Sequence, residues 1–370
     1  MFLQSIYSAL VHSLVLLFVG AVCAQSPNTD LTIKVSHNSK AYIGKPMTWD
    51  GKEMLLLRRD GRVSTLPVRS RKDFSKIKDG FKPYSKDELR VRLQKEFGSK
   101  YQVSITENFV VVHPHGSYNV WAMPFQKLYA QFHAYFFKRG FKLTDPEFPM
   151  VAVVLKSRKD FDRFLRKYHD YDSRVLGYYS PNSNRIITYD QTGGSKSKSS
   201  DWLFNAHTII HEATHQTAFN TGIHSRYAPV PRWISEGLAM MFEAPGVNNS
   251  LYHAQLSDRI NRDRLIVLKS YYAADQVRNK LADLVVSDQI FRTDPELAYA
   301  LSWGLTFYLS EKMPSQYQAF LKADGERTDF QGFDSKRRAA AFFKSFGGDL
   351  QALNARMKRY FEALSVPRRK

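Results

Sequence analysis

The chain has 370 residues and a net charge of +19, with 43% hydrophobic and 14% aromatic residues. This apolar content can build a sizeable core and excludes an intrinsically disordered chain, and the length suits one or two domains. The single cysteine, Cys23, lies in the apolar leader described next, so the chain beyond that leader has neither disulfides nor a cysteine nucleophile or metal ligand.

In chain order, residues 1–24 read as a secretory signal. Leu14 to Ala24 is an unbroken apolar run, too short to cross a bilayer. Val22-Cys23-Ala24 before Gln25 resembles a small-residue cleavage site. The chain is therefore expected to be secreted or periplasmic, with no membrane span after cleavage; an uncleaved N-terminal membrane anchor is the alternative. Residues 25–100 are expected to form a small β-rich module, beginning with a polar leader to residue 40. Asp50-Gly51 and Asp60-Gly61 punctuate short apolar stretches such as Met54 to Leu57, the signature of tight turns between strands. Ser85 with Glu88 makes a capping box that opens a helix through Leu89, Leu93 and Phe97, stopped by Gly98. Residues 101–370 make the second expected domain. It starts with a strand over Val103 to His113 and a helix over 124–139, where Phe125, Leu128, Phe132, Tyr135 and Phe136 repeat at helical spacing. Val151 to Leu155 reads as a buried strand, Phe161 to Tyr168 as a helix, Asn184 to Asp190 as a strand and Gly193 to Ser200 as a solvated loop. Beyond Glu236 the chain reads as mainly helical.

The loop leads into His211-Glu212-Ala213-Thr214-His215. On a helix, positions i and i+4 lie on one face, so the two imidazoles can meet one metal ion. Glu212 projects beside them, placed to take a proton from a water. Apolar neighbours such as Ile209, Ile210, Ala213, Ala218 and Phe219 imply a buried helix. Buried polar groups on it need partners or a metal. A catalytic zinc uses three protein ligands and keeps one open position. Glu236 in Trp233-Ile234-Ser235-Glu236-Gly237 is the expected third ligand, for one zinc ion. The other pattern with this helix, which needs Gly and His further on, is excluded by Ala218 and Thr221 in those places. His113 and His115, flanking Pro114, read as surface histidines, and His207 shares the helix face of His211 without being needed.

Trp233-Ile234-Ser235-Glu236-Gly237-Leu238-Ala239 resembles the W-L-x-E-G-x-A segment of gluzincin metallopeptidases, the aminopeptidase N and leukotriene hydrolase type. Tyr299 to Leu309 is similar to that group's Y-x-K-G-x-x-x-x-x-Y-L helix, with the glycine one place late at Gly304. Gly177-Tyr178-Tyr179-Ser180-Pro181-Asn182-Ser183-Asn184-Arg185 looks like the G-Y-Y-x-P-x-x-N-R segment of a bacterial domain-of-unknown-function family (1570). The resemblance spans about residues 145 to 310. It implies Glu236 as the third zinc ligand and Tyr299 as the group that steadies the oxyanion. It implies an α+β, zincin-like fold: a β-sheet and active-site helix, then a mainly helical C-terminal half, with the small β-rich module in front. Two departures stand out. No acidic residue occupies Gly177 to Tyr189, where the group's aminopeptidases place one for the substrate amine. Met240 stands where the thermolysin pattern has an Asp that orients a zinc histidine.

The expected activity is zinc-dependent hydrolysis of peptide or protein substrates, by an endopeptidase rather than an aminopeptidase. The strand through Arg185, Ile187 and Tyr189 is a candidate sheet edge for binding the substrate; an ordinary internal strand is the alternative. A second reading of the whole chain is a catalytically inactive, basic secreted binding protein that keeps a zinc-stabilised fold. The positive charge suits acidic or anionic envelope partners, although a merely basic surface explains it too. No nucleic-acid motif appears, so specific nucleic-acid binding is not expected.

Overall fold

Alternating apolar residues build the N-terminal strands. The computed structural model describes residues 31–116, 118–168, 175–192, 199–328 and 333–367. The leader over 1–24 and most of the expected loop over 193–200 lie outside the described residues. Five strands, β1 (Thr32–His37), β2 (Lys40–Trp49), β3 (Glu53–Arg58), β4 (Val63–Pro67) and β5 (Phe74–Ile77), form a sheet in the order β4-β3-β2-β1-β5, with β1 antiparallel to both β2 and β5. Its core is Ile33, Val35, Met54, Leu56, Leu66 and Val68. Strand β1 occupies a stretch expected to be a polar leader: Ile33 and Val35 alternate with polar residues, which is strand periodicity. The turn at Asp50-Gly51 holds as read, with Asp50 Oδ1 accepting from the Lys52 and Glu53 amides at 2.8 Å each.

The described residues divide into two compact units, one over 31–56 with 65–80, the other over 57–64 with those from 81 onward. The tip of the β3–β4 hairpin and the capped helix α1 (Lys86–Phe97) thus belong to the larger unit. The larger unit holds a second sheet of β6 (Tyr101–Ile105), β7 (Phe109–Pro114), β8 (Met150–Leu155), β9 (Gly177–Ser180) and β10 (Arg185–Tyr189). Their order is β6-β7-β8-β10-β9, with β7, β8 and β10 parallel and the outer strands antiparallel. The single strand expected over 103–113 is a hairpin, because Thr106 turns the chain and its amide donates to Phe109 O at 2.9 Å.

Helices cover both faces of this sheet. They begin with α2 (Tyr118–Trp121), α3 (Met123–Phe137), α4 (Arg158–Tyr168), α5 (Ser199–Asn220), α6 (Arg232–Phe242) and α7 (Pro245–Asn248). The C-terminal half adds α8 (Arg262–Ala273), α9 (Lys280–Val286), α10 (Ile290–Thr293), α11 (Pro295–Lys312), α12 (Pro314–Gly325), α13 (Ser335–Phe346) and α14 (Leu350–Ala363). Successive strand residues point to opposite faces. Val110, Val112, Val151, Val153 and Ile187 pack with Leu89, Leu93 and Phe161 of α1 and α4. Phe109, Val111, Ala152, Val154 and Ile186 pack with α3 and α5. A parallel centre buried on both faces is what such valine-rich strands favour. The architecture is mixed α+β, with a β-rich N-terminal region and a helical C-terminal half. Among the described residues no helix is long and apolar enough to cross a membrane.

Candidate metal centre

Helix α5 is pinned before it presents its histidines. The buried Gln216 amide donates to Val151 O at 3.1 Å and to Asn184 O at 2.8 Å, tying the helix to the sheet. Helix α6 crosses α11 at Gly237. A Cβ there would collide with Thr306 Oγ1 and the Ser302 carbonyl, so the helices approach as closely as glycine allows. That contact fixes where Glu236 and Tyr299 stand.

The approach brings three ligand atoms together. His211 Nε2 lies 3.2 Å from His215 Nε2. Glu236 Oε2 lies 3.3 Å from His211 Nε2 and 3.6 Å from His215 Nε2. A tetrahedral zinc with bonds of about 2.0–2.2 Å spaces its ligand atoms about 3.3 Å apart. The triangle therefore fits one face of such a site, and the two-imidazole, one-carboxylate donor set suits zinc. It is the one group of His, Cys, Asp or Glu found among the described residues that could hold a metal ion.

Electrostatics fit the same geometry. Burial opposes charge on His211, but the hydrogen bonds it donates to Glu236 and Glu243 win and hold its pKa well above the ordinary value. Burial also opposes charge on Glu236, and the two histidines outweigh it, holding that carboxyl well below its usual range. Glu212 is only 8% exposed. Burial raises its pKa, against the pull of His211 and His215. The half-buried Glu236 carboxylate thus faces the histidines as a partner, and the buried Glu212 keeps its affinity for a proton.

Glu243 is the residue that sequence reasoning missed. It lies two helical turns beyond Glu236, on the same face, and its Oε1 receives His211 Nδ1 at 2.7 Å. Asn261 donates to its Oε2 at 2.6 Å. The contact sets the tautomer that leaves His211 Nε2 free to bind metal. Glu243 fills the place that Met240 cannot, and an acidic residue one turn past Met240 was the available signal. His207 stands 3.5 Å from the same carboxylate. Glu243→Gln is expected to weaken zinc binding by about 10–100-fold, read by chelator competition; unchanged affinity would remove this role.

Tyr299 is linked to the cluster through Arg232. Arg232 Nη2 donates to Tyr299 Oη at 2.6 Å, and its Nε lies 3.4 Å from Glu236 Oε1. Burial, then Glu236, pushes the Tyr299 hydroxyl up to about 12, with Arg232 opposing. The phenol keeps its proton at neutral pH.

Arg185, Ile187 and Tyr189 are not part of the site. Their strand, β10, is internal, between β8 and β9. All three side chains share the strand face turned away from α5. Ile187 is buried against α1 and α4, Tyr189 packs on Phe161 at 5.2 Å, and Arg185 makes two bonds to Glu96, at 2.8 and 3.0 Å. The expectation missed β9, a strand of four residues too short to show a period. Strand β9 is the sheet edge on this side, with β6 at the other, and it runs against Glu212. A Cβ on Gly177 would stand 2.7 Å from Thr208 Cγ2 and 2.8 Å from Glu212 Cγ. Gly177→Ala is expected to displace Glu212, leaving zinc content intact and turnover lowered by about tenfold or more. Metal analysis beside an activity assay checks it, and wild-type turnover contradicts it.

Of the two expected surface histidines, His115 is exposed as read and His113 is not. His113 is fully buried, with Nε2 2.8 Å from Ser104 Oγ and Nδ1 2.7 Å from Pro114 O.

Residues 205–331 match a family described as "Protein of unknown function (DUF1570)", a span that contains His211, Glu212, His215, Glu236, Glu243 and Tyr299. No curated protein matches the chain.

Proposed function

We propose that the chain is a zincin-like metallopeptidase of the gluzincin type, hydrolysing internal peptide bonds. The observation that carries this reading is the triangle of His211, His215 and Glu236, with the buried Glu212 beside it. Zinc, when bound, supplies a Lewis acid and lowers the pKa of a water towards about 7. His211, His215 and Glu236 would hold it. Glu212 takes the proton of the attacking water and hands it to the leaving amine; its raised pKa suits both halves of that exchange. Tyr299, still protonated at neutral pH, donates to the developing oxyanion. Arg232 holds the phenol in place through its 2.6 Å bond. The substrate would lie extended along the outer edge of β9, whose backbone groups an added strand can pair with.

The endopeptidase reading follows from what lines that edge. An aminopeptidase must neutralise the substrate's terminal ammonium with a carboxylate, and the stretch from Gly177 to Tyr189 carries none. One peptide with a free and with an acetylated amino terminus tests this. Equal internal cutting of both is expected. Stepwise trimming of the free form alone would overturn the endopeptidase assignment. Failure of the zinc-loaded protein to cut anything would favour the inactive, basic binding protein instead. Export remains part of the proposal, resting on residues 1–24.

A further inference from the structure

Arg185 is built into a different place. It is 6% exposed and sits at the floor of a cavity of about 310 Å³, on the sheet face opposite α5. Five cations line the cavity: Arg58, Arg62, Arg92, Lys95 and Arg185. Two carboxylates, Asp60 and Glu96, line it with them, and Glu88 beyond the lining acts on Arg92. The two in the lining are already shared. Asp60 takes Arg62 at 2.9 Å and Arg58 at 3.6 Å. Glu96 spends both oxygens on Arg185 and has Arg62 at 3.7 Å. Arg92 and Lys95 add charge from one face of α1, and the Arg92 guanidinium is held over the Tyr84 ring at 4.0 Å.

Arg92 and Lys95 are exposed, but crowding like charges around the buried Arg185 and half-buried Arg62 costs free energy unless anions answer it. The strain registers on Arg62, whose pKa is pushed down by burial and then by Arg185. Guanidinium groups present paired N–H donors that match a tetrahedral oxyanion. Five cations against two carboxylates leave room for more than one negative charge, which a phosphate dianion brings and a single carboxylate does not. The cavity volume admits a small ligand only.

We propose that this cavity binds a phosphate dianion, either as the free ion or as the terminal group of a small monoester. The site does not depend on the metal centre or on the peptidase reading. Calorimetric titration of the full chain with inorganic phosphate, at fixed ionic strength, tests it. Saturable binding is expected, and acetate at equal ionic strength should not reproduce it. The Arg92→Gln, Lys95→Gln double variant should weaken binding by about tenfold or more. A control that removes the same charge elsewhere, Lys127→Gln with Lys159→Gln, should not. Glycerol 3-phosphate distinguishes the sources: tighter binding than phosphate assigns the site to a monoester, and equal or weaker binding assigns it to the free ion. Absence of saturable phosphate binding, or equal loss in the double variant and the control, would overturn the proposal.

Discussion

Glu212→Gln is expected to keep zinc at wild-type content and to lose turnover by about 10²–10⁴-fold. The amide is nearly isosteric, so it can still receive the Tyr179 backbone hydrogen bond that the carboxylate accepts. It cannot take a proton. The ligand triangle does not include Glu212, so metal content should be indifferent to the change. The two readouts therefore separate. Loss of both zinc and activity would make Glu212 a structural member of the site. Retention of both would remove it from the mechanism.

The second large effect is at the ligands. Glu236→Ala should weaken zinc binding by more than about 100-fold, beyond the range of an outer partner such as Glu243. Proton competition gives this binding a direction with pH. Metal needs His211 neutral, and Glu236 and Glu243 hold its proton to a pKa well above the ordinary 6.5. Zinc affinity should therefore rise about tenfold per pH unit until that pKa is passed. Stability of the metal-free protein follows the opposite sign for His211. Its contribution is full below about 6.5 and is lost as pH rises through its folded-state pKa. Glu236 and Glu243, held low, contribute above about 4.3 and lose that contribution as pH falls. Chelator competition across pH checks the first statement, and pH-independent affinity contradicts it. Thermal melts of the metal-free protein check the second.

The parts of this molecule that were legible in the sequence are those set by local periodicity. His211 and His215 share a face because helices repeat near four, and the Ser85–Glu88 cap announces α1 by itself. The valine run of β8 and the aromatic stripe of α3 declared their burial. What escaped depends on tertiary approach. Glu243 matters only because α6 crosses α5 at an angle that carries it to His211. Strand β10 looked like an edge because nothing in its residues shows that β9 folds back beside it. Gly177 gives its reason only when Glu212 is seen against it. Arg185 looked like a substrate contact because it belongs to the strand expected to line the cleft, yet strand alternation turns it to the other face of the sheet.

The central claim is that zinc on His211, His215 and Glu236, with Glu212 beside it, makes this chain a peptidase. The most direct measurement is digestion of a broad peptide library, read by mass spectrometry, by the purified protein as isolated, after chelation and after zinc is restored. Internal cleavage is expected that disappears with chelation, returns with zinc and is absent from zinc-loaded Glu212→Gln. Zinc bound at one equivalent with no member of the library cut, or cutting that survives both chelation and Glu212→Gln, would contradict it.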